Sequence, residues 1–382
     1  MCSRHLELNM NIWKERLRNA RKLMEKNDID VLVLYGADNL QYLSGVTDPT
    51  LHTCGTIVLP IDGEPVMIVL WRDIEVAKEQ SQIQNINYVS CLPLDARERK
   101  VAEVLKEFST PGITVGVDDL GFSEFEELKT SFQNTSPNAK FVDASAMLNT
   151  LRFIKLNEEI KLIRKAAKIS DYGMKAAIKA LKVGATEIEV AVEAEYEMKK
   201  RGSWELRHPT LVASGKRTLL VHPFASEKKI EKNDLVVIDL GAVCGGYCSD
   251  ICRTCIVGAS NQTQEDLFKA VLEAQSAAFS ELKEGTTIGT VNKVVRGIFQ
   301  KTGYAKYFPY LLGHFIGLQV EEEPMIMPKN AEIEFKSNTV VSLFQSSVFM
   351  PSAGGVRIED LALVTKTKSE ILTRYPREFI KV

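Results

Sequence analysis

The sequence has no long hydrophobic run. Its apolar segments, such as Val31 to Tyr35 and Leu235 to Leu240, are strand-sized and fall far short of the ~20 residues needed to span a bilayer. It has no charge bias either. Forty-eight Lys and Arg against 50 Asp and Glu leave a net charge of -2, so no global field draws nucleic acid or an anionic membrane surface. It has no paired C-x-x-C knuckles. Cys244, Cys248, Cys252 and Cys255 crowd into one short stretch, but without the spacing of a zinc ribbon they read as small buried hydrophobes in a reducing compartment. Met1 to Glu7 carries no apolar core of a signal peptide, which makes a cytoplasmic location the expectation. Internal repeats and low-complexity tracts are absent.

What is present is ordinary in bulk: 382 residues, 45% hydrophobic and 26% charged, a length that suits two domains. The first, over 10–150, alternates helix and strand. An amphipathic helix over 11–27 carries Trp13, Leu17, Ala20 and Met24 on one stripe, and Val31 to Gly36 reads as a buried strand. Strands at 55–60 and 65–70 flank a hairpin turn at Ile61-Asp62-Gly63-Glu64. Helices near 95–108 and 123–132 bracket a strand over 113–117, which is an α/β pattern. Residues 151–156 read as a linker. In the second domain, 151–382, Asn157 is the expected cap of a long helix that Gly184 stops. Thr186 and Glu189 make a capping box for the next, which runs to about Lys200. Strands are expected at 210–214, 235–240, 247–257, 340–344 and 356–364, and helices at 263–283 and 287–302. Trp71 and Trp204 read as core residues.

The chemistry-bearing residues gather in the last third. Asp239 and Asp250 are eleven apart, on two strands joined by a turn through Gly245-Gly246, a length that brings two carboxylates to one end of a hairpin. His314 follows Gly313, where a missing Cβ permits close backbone approach. Glu359 opens an apolar strand, where a carboxylate needs a metal or a cation such as Arg357. Three carboxylates and an imidazole suit Mn, Fe, Co or Zn, and a metal so held lowers the pKa of bound water.

These motifs resemble the pita-bread metallopeptidases: prolidase, aminopeptidase P, methionine aminopeptidase and the metal-free relative creatinase. The resemblance rests on Arg152-Phe153-Ile154-Lys155 with Glu158-Glu159, on Ser214-Gly215 followed by His222-Pro223, and on Asp234 to Ala242 followed by Tyr247 to Thr254. The segments around His314 and Glu359 complete it. It implies an α/β (α+β) fold, with a creatinase-like N-terminal domain before a pita-bread catalytic domain. It implies Asp239, Asp250, His314 and Glu359 as ligands of one or two divalent ions, with Asp250 and Glu359 bridging, and His222 facing the substrate. A homodimer is implied as well, with His52 as a candidate contact. The implied reaction is hydrolysis of a C–N bond in a small peptide or amide such as an Xaa-Pro dipeptide, metal-bound hydroxide attacking the carbonyl.

Two positions depart from the family pattern. Glu321 stands where the family carries a second histidine, and an ionised glutamate cannot donate a hydrogen bond to an oxyanion. Glu321 and Glu322 are left as candidates for a general base or for binding a substrate amine. Gln345 stands where a metal-binding glutamate is usual, keeping a carbonyl oxygen but no charge. Arg357 is available to orient Glu359 or to bind a substrate carboxylate bidentately. These changes keep two alternatives open: a creatinase-like hydrolase of a non-peptide C–N bond, and a binding protein without catalysis.

Overall fold

A computed structural model describes residues 10–48, 55–93, 95–206, 208–309, 311–343 and 347–382. His52 and Gln345 lie outside the described residues. The chain divides into two compact units between Arg152 and Phe153. No helix among the described residues is long and apolar enough to cross a membrane.

The N-terminal unit is a six-stranded mixed sheet with helices. Strands β1 (Val31–Leu34), β2 (Thr56–Pro60), β3 (Val66–Leu70), β4 (Asn85–Val89), β5 (Thr114–Val117) and β6 (Lys140–Asp143) lie in the order β4-β3-β2-β1-β5-β6. Helices α1 (Met10–Lys26), α2 (Ala37–Ser44), α3 (Ile74–Gln80), α4 (Ala96–Glu107), α5 (Phe122–Gln133) and α6 (Ser145–Phe153) connect or flank them. The stripe of α1 is buried as its periodicity predicts, and the Trp13 indole donates to the Leu43 carbonyl at 2.7 Å.

Five elements of this unit, α2, α3, β4, β6 and α6, are not evident in the sequence. Helix α2 buries Asp38, Gln41 and Ser44 beside its apolar residues, so no clean apolar stripe marks it. Helix α3 is two turns long. Strand β4 buries only Val89, so nothing in its composition reports burial. Helix α6 runs to Phe153 and occupies half of the expected linker. Trp71 is not a core residue. It begins a 3-10 turn just past β3 and is 59% exposed, because the chain leaves the pleat there. Trp204 is half-buried.

In the second unit, α7 (Asn157–Ala180) and α8 (Glu187–Lys200) pack against a four-stranded sheet of order β19-β11-β8-β7. These strands are β7 (Leu211–Ser214), β8 (Asp234–Leu240), β11 (Ile251–Val257) and β19 (Ile380–Lys381), with the short hairpin β9 (Val243–Cys244) and β10 (Tyr247–Cys248) between β8 and β11. The cap of α7 is Leu156 rather than Asn157. Leucine has no side-chain acceptor for the first-turn amides, so only the reverse half of a capping box forms, the Glu159 carboxylate accepting from the Leu156 N–H at 2.6 Å. The helix stops at Ala180, one turn before Gly184. The Thr186–Glu189 capping box on α8 is present in both directions.

Helices α9 (Gln262–Glu281) and α10 (Ile288–Thr302) cover the other core. Its sheet has the order β13-β12-β14-β17-β18, from β12 (Gly313–Phe315), β13 (Glu322–Ile326), β14 (Val340–Leu343), β17 (Asp360–Val364) and β18 (Ser369–Ile371). A separate hairpin joins β15 (Val348–Met350) to β16 (Gly354–Val356).

Two expected strands are interrupted where the chemistry sits. The strand over 247–257 breaks at Ser249-Asp250, and the one over 356–364 breaks at Arg357-Ile358. The four clustered cysteines are buried, as expected, and Cys248, Cys252 and Cys255 are free thiols. Cys244 is disulfide-bonded, which corrects the expectation of four reduced cysteines.

Candidate metal centre

The site is assembled on rungs of paired strands. Residues directly opposite in a sheet share a face. Leu211, Asp239 and Cys252 are opposite one another across β7, β8 and β11, and Cys252 forms an isolated bridge with Glu359. Asp239 and Glu359 therefore face each other with the Cys252 thiol between them. Asp250 sits just before β11, in the break that aims its carboxylate inward. Gly245 and Gly246 take left-handed conformations at the β9–β10 turn, returning the chain so that Asp250 meets Asp239.

His314 enters from the other sheet. It lies opposite Ser342 on β14, and the Ser342 hydroxyl donates to Glu359 Oε1 at 2.6 Å. Gly313 makes this approach possible, since a Cβ there would lie 2.0 Å from the Ser342 carbonyl oxygen. His314 Nε2 lies 3.6 Å from Asp250 Oδ2 and 4.0 Å from Glu359 Oε1. Its Nδ1 is 3.1 Å from the Phe315 carbonyl, which fixes the proton on Nδ1 and leaves Nε2 as a donor of its lone pair.

Arg357 is buried. Its guanidinium donates to the Val221 carbonyl at 2.7 Å and reaches Asp239 Oδ2 at 3.4 Å, while Nε and the second terminal nitrogen have no hydrogen-bond partner among the described residues. It thus orients Asp239, rather than pairing with Glu359 as a strand neighbour.

These groups line a cavity of about 370 Å³ with His208, His222, Glu321 and the apolar Leu211, Val221, Phe224, Pro309, Leu311 and Phe349. His222 and Glu321 are exposed at its wall. Glu322 is elsewhere: its carboxylate is buried against Lys155 Nζ at 2.6 Å and accepts from the Leu318 N–H, so it is engaged in an ion pair and does not line the cavity.

His208 was not singled out by sequence reasoning. It precedes Pro209 outside any strand, and a lone histidine carries no spacing signal. The structure sets its Nε2 3.9 Å from Asp250 Oδ1.

The electrostatics are those of a cluster short of positive charge. Burial, with the Asp250 charge added, pushes the Asp239 carboxyl up to about 6. Burial, then Asp250 and Asp239, raises Glu359 well above the carboxylate range. Burial also acts upward on Asp250, but the facing His208 and His314 outweigh it and hold that carboxyl well below its usual value. In turn burial lowers both imidazoles, and Asp250 more than offsets this, taking His208 up to about 9 and raising His314. The Cys252 thiol is raised by burial and by Asp239. His222 is lowered by burial and by Arg357.

This donor set fits a divalent cation. Asp250 Oδ1 is buried without a hydrogen-bond partner among the described residues. Among the described residues three triads bring ligand atoms within 4.8 Å of one another: His208, Asp239 and Asp250; Asp239, Cys252 and Glu359; Asp250, His314 and Glu359. A cation at the centre removes the repulsion that otherwise forces protons onto the carboxylates.

Comparison with known proteins agrees with this chemistry. Residues 161–366 match the model of metallopeptidase family M24, and residues 16–154 match the creatinase/prolidase N-terminal domain. The chain is 36% identical over 368 residues to an Xaa-Pro dipeptidase of Pyrococcus furiosus, covering 96% of this chain and 100% of that protein. Its fold superposes on the structure of an Xaa-Pro dipeptidase from Bacillus anthracis with a TM-score of 0.88 at 30% identity, over 97% of this chain and 100% of that one. For the prolidase from Pyrococcus horikoshii the TM-score is 0.85 at 35% identity, over 96% and 100%.

Proposed function

The chain belongs to metallopeptidase family M24, and from that premise we propose that it hydrolyses Xaa-Pro dipeptides at a metal centre held by Asp239, Asp250, His314 and Glu359. The convergence of these four side chains in one cavity carries the reading. One or two ions of Mn, Co, Zn or Fe suit the donors. When bound, such an ion lowers the pKa of water and polarises a carbonyl.

The remaining roles belong to the chain itself. Arg357 orients Asp239, and its unpaired nitrogens suit a substrate carboxylate. The apolar wall of Leu211, Val221, Phe224 and Phe349 suits the proline ring. His222, kept mainly neutral near pH 7 by its lowered pKa, can accept or donate a proton beside the scissile bond. Glu321, on the cavity wall, suits the substrate's amino group. A homodimer completes the proposed assembly.

The test is hydrolysis of a panel of Xaa-Pro and non-proline dipeptides by metal-loaded protein, by chelator-stripped protein and by Asp250→Ala. Activity only in the loaded wild type, confined to Xaa-Pro, is the expected result. Full activity after stripping defeats the proposal. The position of Glu321 favours one second reading, a non-peptide C–N bond in a cationic substrate such as a guanidino compound. The same panel extended to guanidino compounds separates the two.

A further inference from the structure

We infer that His208 is a metal ligand, supplying an imidazole to the ion held by Asp239 and Asp250. The inference rests on the metal-centre reading above and extends it to a residue outside the four ligands named there.

His208 and His314 bracket Asp250 in matching fashion. Each places Nδ1 against the carbonyl of the following residue, His208 on Pro209 at 3.0 Å and His314 on Phe315 at 3.1 Å. Each then presents Nε2 to one oxygen of Asp250, His208 to Oδ1 at 3.9 Å and His314 to Oδ2 at 3.6 Å. A carbonyl acceptor on the far nitrogen is how proteins fix the tautomer of a ligating histidine. The 3.9 Å gap is too long for a hydrogen bond, and Asp250 Oδ1 has no such partner among the described residues although it is buried. Metal–nitrogen and metal–oxygen bonds of ~2.0–2.2 Å each let one ion touch both atoms across that gap. Among the described residues His208, Asp239 and Asp250 form one close triad and Asp250, His314 and Glu359 another, the two sharing only Asp250.

Two imidazoles, one on each side of a shared Asp250, make a centre with nitrogen at both positions. Imidazole favours Zn, Fe or Co over Mn relative to an all-carboxylate site. His208 therefore contributes to metal choice as well as to affinity.

The test is titration of chelator-stripped protein with Co²⁺ and with Mn²⁺, followed by metal content and by the visible absorption of Co²⁺, for wild type, His208→Phe, His208→Gly and Asp250→Ala. In His208→Phe the more weakly held Co²⁺ of the wild type is expected to lose at least about tenfold in affinity, with a changed Co²⁺ spectrum and a smaller loss for Mn²⁺. Free imidazole is expected to restore the spectrum in His208→Gly, a rescue that a merely structural histidine does not give. Equal Co²⁺ affinity and an identical spectrum in wild type and His208→Phe overturn the inference and leave the metal centre standing. A wild type that takes up no more Co²⁺ than Asp250→Ala overturns both.

Discussion

On one face of β11, Arg253 and Asp360 form a buried pair; on the other, Asp239, Asp250 and Glu359 crowd together around Cys252. The two groups are a residue apart in sequence and differ in how their charge is satisfied. Arg253 donates to the carbonyls of Pro376, Cys252, Glu359 and Tyr375 and to the Asp360 carboxylate. Asp360 also accepts from Thr373 and Gln275. Every strong donor has an acceptor, so this layer asks nothing of solvent or ligand. The second group has three carboxylates and a short bond from Ser342, and among the described residues an Asp250 oxygen and two Arg357 nitrogens have no hydrogen-bond partner. Burial without internal satisfaction distinguishes a site from a structural ion pair.

The largest expected effect breaks the satisfied layer. Asp360→Ala leaves the Arg253 guanidinium buried without its counter-charge, at a cost of about 3–5 kcal/mol in unfolding free energy, read by denaturant titration of metal-free protein. Asp250→Ala in the same assay is expected to change stability by only about 1 kcal/mol or less, because losing one of three repelling carboxylates offsets the loss of its imidazole partners. Comparable losses for the two variants would mean that the two layers do not differ in how their charge is satisfied.

Next comes the metal itself. At an ion concentration about 100 times Kd the wild type is expected to gain about 2.7 kcal/mol over its stripped form, seen as a shift of the denaturation midpoint. Asp250→Ala should show none of this gain, whereas any variant of the Arg253–Asp360 layer that still folds should keep it.

How much of this was legible in the sequence follows the same division. Strand pairs such as β8 and β11, helices α7 to α10 and the residues Asp239, Asp250, His314 and Glu359 announce themselves through periodicity, caps and motif order. Elements that bury polar residues, as α2 does, or bury almost nothing, as β4 does, leave no such mark. At the site, the missed facts are those of aim rather than identity. Glu322 sits beside Glu321 in sequence, yet Lys155, 167 positions away, takes it out of the cavity. His208 is brought to Asp250 by the loop before β7, and only coordinates reveal that. The interruptions at Ser249-Asp250 and Arg357-Ile358 were hidden because both segments read as continuous strand.

A smaller effect sharpens the comparison at its seam. Ser342 supplies Glu359 with a short hydrogen bond and sits opposite His314. Ser342→Ala is expected to weaken metal binding about 10- to 100-fold. It should leave the Arg253–Asp360 layer and the metal-free stability nearly as they were, since Glu359 is then free to take up a proton. Metal titration followed by denaturation of the stripped protein reads both quantities.

The smallest effect comes from a third kind of charge pair, one that is neither sealed nor poised. Arg164 grips both oxygens of Glu370, one at 2.6 Å, and each side chain is more than a third exposed. The Arg164 hydrogen bond holds the Glu370 carboxyl below its ordinary range despite an opposing contribution from burial. A depressed folded pKa means that the pair stabilises above the unfolded value of about 4.3, and that the contribution fades as pH falls through the lower folded value. Solvent screening limits it to about 0.2–1 kcal/mol. Glu370→Gln is therefore expected to cost that much at pH 7, progressively less below about pH 4.3, and little in ~1 M salt. Asp360→Ala should remain costly in salt, because its partner charge is shielded from the ions that screen Arg164. Denaturation of the two variants side by side, at low and high salt, measures how much burial alone separates one arginine–carboxylate pair from the other.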